Sequence, residues 1–355
     1  MLFVPFPRRT FVPLFLALGL LAAGSAPARS QTVGPNEMAV HYINVDQGAA
    51  ALLEFSCGAI LIDGGGVNAR DRDHLTGYIR AFLSRRRDLR NRLAAVFVTH
   101  AHIDHDRYLG NVAAQFYANS LIFNGTSTSR TTRFASRARA LDRRFVQRTI
   151  TNVEMGNELS ITNNVIDPVN CPGTDPVITV LSGGQPDTID WPRRDYNNKN
   201  NHSLVIRVDF DQASFLFTGD LEEAGIAHLL RRMQGTELLD VDVYTVGHHG
   251  AENGTTADFL RQMTPQIAVI SAGNPRQTTA GMTAWDHGHP RTWLLELLDE
   301  RVTGARTPVD ILGFEGQEVP PTPHTERRAV YSTSRDGDII VRARANGQFE
   351  VETSR

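Results

Sequence analysis

The sequence predicts an α+β protein, and three observations carry that expectation. Short apolar runs with strand character alternate with stretches of helical spacing. Several of the runs end in aspartate, histidine or glycine, as strands do when they deliver polar groups to the edge of a sheet. The chain has 355 residues and is 41% hydrophobic, enough to bury a full core in one or two domains, and it shows no repeat, heptad or low-complexity tract. A net charge of -3 excludes a molecule-wide pull towards nucleic acid or anionic membrane, so any basic patch is local.

Residues 1–30 read as a signal peptide. Arg8 and Arg9 precede an apolar stretch from Phe11 to Gly24, and the small residues of "SAPARS" follow. Pro13 interrupts the stretch, which is shorter than the roughly 20 residues a spanning helix needs, so no stable membrane span is expected. The protein is then exported, periplasmic or secreted, by general secretion or by the twin-arginine route that "RRTFV" resembles. In an oxidising compartment Cys57 and Cys171 form one disulfide or remain two thiols; spacing alone decides nothing.

Residues 37–355 read as one domain with a C-terminal β-hairpin extension. The run "MAVHYINVDQGAAALLEFSCGAILIDGG" gives three strands, broken at Gln47-Gly48 and Cys57-Gly58 and stopped by glycines. Residues His74 to Leu93 carry helical spacing with an arginine-rich outer face, and "LAAVFVTH" is a buried strand. Two strands follow in "HSLVIRVDFDQASFLFTGD", then a helix from Leu221, the strand of "VDVYTVGHHG", a further helix and the strand of "PQIAVISAG". The segment "RRAVYSTSRDGDIIVRARANGQFEVE" predicts a hairpin around Asp336-Gly337 and one more strand.

The densest chemistry lies in "VTHAHIDHD", at the end of a buried strand. His100 and His102, two apart on extended backbone, point the same way and can grip one cation, while Asp104 and His105 turn towards a second. Imidazole and carboxylate together suit zinc, iron or manganese rather than calcium or magnesium. Further ligands stand at other strand ends: Asp220 closes "FLFTGD", and His248 and His249 close "YTVGHHG". Neither cysteine has a histidine beside it, and "NGTSTSR" lacks a partner base, so no serine or cysteine nucleophile is evident.

"THAHIDH", "FTGD" and "GHHG", in that order, resemble the metallo-β-lactamase superfamily. With "INVDQGAAALLEF", "LIDGGG", "NNHSLVIRV" and "GHP", the chain from about Met38 onward is most similar to the hydrolase domains of competence proteins of DNA uptake. The resemblance implies a four-layer αββα sandwich with two divalent metal ions at one sheet edge, zinc first and manganese or iron as alternatives. His100 and His102 would hold the first ion, Asp104, His105 and His248 the second, and Asp220 would bridge them. Asp104 and Asp220 would thereby organise the catalytic hydroxide. His249 would support that shell or touch substrate, and Asp63 would steady the metal loop. Where many members supply a third histidine to the first ion, this chain reads "NKNNHSLV", leaving His202 as the candidate and Asn201 as a structural or substrate contact. His289, in the Gly-His-Pro, would meet a phosphate oxygen or protonate the leaving group.

Three functions follow. The first is hydrolysis of a small-molecule or nucleic-acid phosphodiester by a metal-bridging hydroxide. The second is hydrolysis of an ester, lactone or lactam on the same metals. The third is a degenerate binding domain, against which the intact ligand positions argue. Seven arginines between Arg130 and Arg148, with almost no acid among them, form either a guide for nucleic acid or a solvated helix face. The sequence leaves the oligomeric state open.

Overall fold

The computed structural model describes residues 32–278 and 281–355, so the signal peptide expected at residues 1–30 lies outside the described residues. Strands β1 (Glu37–Tyr42), β2 (Ala51–Glu54) and β3 (Ala59–Ile62) occupy the first apolar run, and helix α1 (Ala69–Arg85) leads to β4 (Ala95–Val98). The one-turn helix α2 (Ile103–Asp106) carries the second half of the histidine motif; β5 (Ser120–Phe123), α3 (Ser129–Leu141) and β6 (Val146–Thr149) follow. The middle of the chain supplies β7 (Val177–Ser182), β8 (Val205–Phe210), β9 (Ala213–Phe217), α4 (Glu223–Arg232), β10 (Val243–Thr245) and β11 (Ile267–Ile270). After α5 (Thr292–Arg301), β12 (Ala305–Gly313) and β13 (Thr322–Arg328) form a separate ribbon, and β14 (Val330–Ser332), β15 (Ile339–Arg344) and β16 (Phe349–Thr353) close the chain.

Two sheets result. One runs β16-β15-β1-β2-β3-β4-β5-β6 and the other β14-β11-β10-β9-β8-β7. Period-two alternation sorts their side chains: Ala95 and Phe97 of β4 enter the cluster between the sheets, while Val96 and Val98 enter the cluster beneath the helices on the outer face. That outer cluster takes Leu75, Ile79 and Phe82 from α1 and Phe134 and Ala138 from α3. Ile226 and Leu229 of α4 and Leu294, Leu295 and Leu298 of α5 pack into the second sheet's cluster. Helices therefore cover both sheets in an αββα sandwich, the metallo-β-lactamase fold that the resemblance implied. Among the described residues no helix is long and apolar enough to cross a membrane.

Two sequence expectations are corrected. Helix α1 starts before His74 because Asn68 caps it, accepting from the Arg70 and Asp71 amides while Asp71 accepts from the Asn68 amide. It stops at Arg85, and Arg90 and Asn91 take left-handed φ of 52° and 58°, so no helix reaches Leu93. The expected hairpin around Asp336-Gly337 is a crossover instead. Strand β14 pairs in parallel with β11 in the second sheet, and after the turn at Thr333–Asp336 β15 pairs with β1 in the first. The true hairpin is β15–β16. Cys57 and Cys171, left open by the sequence, form a disulfide that ties the β2–β3 turn to the segment before β7.

The parallel pairs β3/β4, β9/β10 and β10/β11 set several C-terminal strand ends along one edge of the sandwich. The residues after those ends carry the site.

Candidate metal centre

Asp63 follows β3 with a φ of 61° and lies buried. Its carboxylate accepts from the Thr99 amide, from Thr99 Oγ1 and from His105 Nδ1, each at 2.8 Å. One side chain thus fixes the end of β4 and the ring of His105. The loop after β3 must also pass under the motif. A Cβ on Gly65 would sit 1.5 Å from the Asp104 carbonyl oxygen, so only glycine fits there. That same carbonyl accepts from the Ala49 amide at 2.9 Å, which pins α2 to the loop after β1.

Asp104, His105, Asp220 and His249 offer ligand atoms that all lie within 4.8 Å of one another. His105 Nε2 is 3.0 Å from Asp220 Oδ1 and 3.2 Å from His249 Nε2. His249 Nε2 is 3.4 Å from Asp104 Oδ2 and 3.5 Å from Asp220 Oδ2. In a tetrahedral shell with bonds of about 2.1 Å, neighbouring ligand atoms stand about 3.4 Å apart. These four side chains therefore fit a single divalent cation. Outside that group, His100 Nε2 is 3.7 Å from Asp220 Oδ2 and 3.2 Å from His102 Nδ1.

Hydrogen bonds at the far ring nitrogens fix how these imidazoles face. His105 donates through Nδ1 to Asp63, and His249 donates through Nδ1 to the Ser271 carbonyl at 2.7 Å. Thr99 Oγ1, which donates to Asp63, accepts from His100 Nδ1 at 3.2 Å. Each bond leaves the Nε2 lone pair directed at the carboxylates. Such a set attracts positive charge. Burial pushes His105 and His249 down, but Asp220, joined by Asp63 and Asp104 respectively, outweighs it. His105 stands well above the histidine range and His249 is raised to about 10. Burial pushes Asp220 up, and His105, His249 and His248 overcome it, holding the carboxylate well below its usual range.

The remaining candidates separate clearly. His202 does not reach the cluster. Its Nε2 donates to the Tyr196 carbonyl at 2.6 Å and its Nδ1 accepts from the Gln185 amide at 3.0 Å, so no lone pair remains for a cation. Asn201 is a structural bracket, accepting from the Gly225 amide and donating to the Asp195 carbonyl. His249, expected to support the shell or touch substrate, joins Asp104 and His105, while His248, expected to complete that group, lies outside it, with Nε2 3.9 Å from Asp220 Oδ2. His289 is buried at the rim, its ring 5.4 Å from that of His248. Sequence reasoning missed Thr99, Asn253, Gln47 and Asn200, polar residues in loops that no ligand-type pattern distinguishes.

The arginine run from Arg130 to Arg139 lies on α3, capped by Thr128, while Arg143 and Arg144 follow the helix and Arg148 lies in β6. Arg130 pairs with buried Asp106, directly after the motif, and Arg148 pairs with Glu154. Arg133, Arg137, Arg139, Arg143 and Arg144 are exposed.

The model of the metallo-beta-lactamase superfamily matches residues 43–274. ComE operon protein 3 of Bacillus subtilis (strain 168) is 34% identical over 101 residues, 28% of this chain and 12% of that protein. Recombination protein 2 of Haemophilus influenzae is 42% identical over 74 residues, 21% of this chain and 9% of that protein. The matched segments thus span about a tenth of these relatives. Among solved structures, the metallo-beta-lactamase fold protein YhfI from Bacillus subtilis aligns with a TM-score of 0.40 and 11% identity, covering 76% of this chain and 94% of that one.

Proposed function

Because the chain belongs to the metallo-beta-lactamase superfamily, a family of metal-dependent hydrolases, we propose that it is an exported phosphodiesterase working with two divalent metal ions, zinc foremost. The observation that carries this is the arrangement around Asp220: histidine Nε2 atoms approach both of its carboxylate oxygens, each ring anchored on its far nitrogen. Asp104, His105 and His249 would hold one ion, His100 and His102 the other, with Asp220 reaching both. Bound ions of this kind acidify a water and neutralise charge building on a phosphoryl oxygen.

The protein's own residues supply the rest. Asp63 holds His105 and the end of β4 in place. Gln47 is oriented by the Gly273 amide, which donates to its Oε1 at 3.1 Å, so its Nε2 donates to His289 Nδ1 at 3.4 Å. The proton of His289 then sits on Nε2, and burial, with His248 and His249 nearby, keeps the ring neutral. A neutral N–H at the rim suits a hydrogen bond to a phosphoryl or leaving-group oxygen.

Phosphodiesters are favoured over lactams and esters by the exposed arginines of α3 beyond the motif and by the resemblance to competence-type domains, one of whose relatives is named a recombination protein. Export agrees with the Cys57–Cys171 disulfide, since such bonds persist in oxidising compartments. The test is turnover of a chromogenic phosphodiester and a chromogenic lactam by the metal-loaded protein. The diester should be cleaved, and Asp220→Ala should remove at least ~1000-fold of that activity, as a loss at both ions would. Lactam turnover with no diester cleavage would overturn the assignment.

A further inference from the structure

With His202 closed off by two backbone partners, the first ion would keep only His100, His102 and Asp220, one ligand fewer than its neighbour. The geometry points to His248 as the missing histidine, supplied from the turn after β10 rather than from the segment before β8. This rests on the two-ion reading above.

Three observations converge on it. His248 Nε2 lies 3.9 Å from Asp220 Oδ2, the oxygen that His100 approaches at 3.7 Å and His249 at 3.5 Å, yet His248 stands outside the four-residue group that already completes the other ion's shell. His248 Nδ1 is 2.8 Å from Asn253 Oδ1, an acceptor that fixes the proton on Nδ1 and leaves Nε2 a lone pair, as Asp63 does for His105 and Ser271 for His249. Asn200 Nδ2, which also donates to Glu222 at 2.7 Å, is 3.4 Å from that Nε2; unlike the backbone amide that occupies His202 Nδ1, this is a long contact from a side chain that a cation can displace.

The backbone explains how two neighbours can serve different ions. His248 and His249 both adopt left-handed conformations, with φ of 51° and 55°, a costly arrangement for consecutive residues that bear side chains. Their rings stand 6.3 Å apart and meet at 59°, so one faces the Asp104–His105 side while the other approaches Asp220 from outside that group. Gly247, Gly250 and Gly254 leave the space the turn needs; a Cβ on Gly254 would lie 2.5 Å from that of His248.

Metal titration of the apoprotein with zinc, read by calorimetry and elemental analysis, tests the assignment. The wild type should take up two ions. His248→Ala and His102→Ala should each retain one at wild-type affinity and weaken the other at least 100-fold, and the double variant should still retain that one. His248→Ala with His249→Ala should lose both, while His202→Gln should keep both. Asn253→Ala, which leaves the imidazole in place, should weaken the same single ion by about 10–100-fold and decides the matter if His248→Ala fails to fold. Two ions at wild-type affinity in His248→Ala, loss of both in the His102/His248 double variant, or unaltered affinities in Asn253→Ala would overturn the inference while the two-ion reading stands. Uptake of fewer than two ions by the wild type would overturn that reading and this inference with it.

Discussion

Asp63 illustrates how a residue outside the candidate ligand cluster can fix one of its rings. Its three acceptor bonds require a carboxylate, because an amide in its place would turn one N–H against a donor among Thr99 N, Thr99 Oγ1 and His105 Nδ1. Asp63→Asn should therefore weaken metal binding by about 10–100-fold with little change in circular dichroism. An unaltered binding isotherm would mean that the His105 ring is oriented by something else. At this scale the sequence was legible where residue type and strand-end position coincide: Asp104, His105 and Asp220 all arrive together. It was misleading at His202, because ligand chemistry reads from residue type while lone pairs depend on partners such as Tyr196 O and Gln185 N. Spacing could not divide His248 from His249 either, since the division rests on two left-handed backbone conformations that neither side chain favours.

Among elements, the ribbon β12–β13 carries a buried acid that the site does not use. Burial above all, with Asp299 beside it, raises Glu326 to about 7, although its Oε1 accepts from the Arg327 and Arg328 amides. A carboxyl raised above its free value near 4.5 favours folding least when both states are ionised, so its cost grows from pH 4.5 and is complete above pH 7. Glu326→Gln keeps the acceptor and removes the charge. It should raise the thermal midpoint at pH 8, by up to about 3 kcal/mol in stability, and leave it nearly unchanged at pH 4.5. Equal effects at both pH values would contradict the assignment. The disulfide acts on the other side of the fold: the bridge spans a sequence separation of 114 residues. Reduction should lower stability by about 3–5 kcal/mol in a denaturant titration, and an unmoved midpoint would show that the linkage constrains little.

Element boundaries failed in the sequence for the same kind of reason. The arginines after Arg85 keep helical spacing, yet Arg90 and Asn91 turn left-handed and end the run. Asp336-Gly337 is a strong local hairpin signal, but β14 has its partner in β11, more than fifty residues earlier, and β15 has its partner in β1. Pairings so far apart in sequence leave no local trace. The alternation of Ala95 to Val98 between two cores was readable only as a buried strand, because both faces are apolar.

For the whole molecule, the site lies on the seam between the sheets. Asp63, His100, His102, Asp104 and His105 follow strands of the first sheet; Asp220, His248 and His249 follow strands of the second. Cations held there would join the two halves and stabilise the fold by mass action, by about 4 kcal/mol at a thousandfold excess over the dissociation constant. The most direct test is a crystal of the zinc-loaded protein measured for anomalous scattering at the zinc edge. Two peaks flanking the Asp220 carboxylate are predicted, one beside His100, His102 and His248 and the other beside Asp104, His105 and His249. A single peak, or none at this edge of the sandwich, would contradict the account.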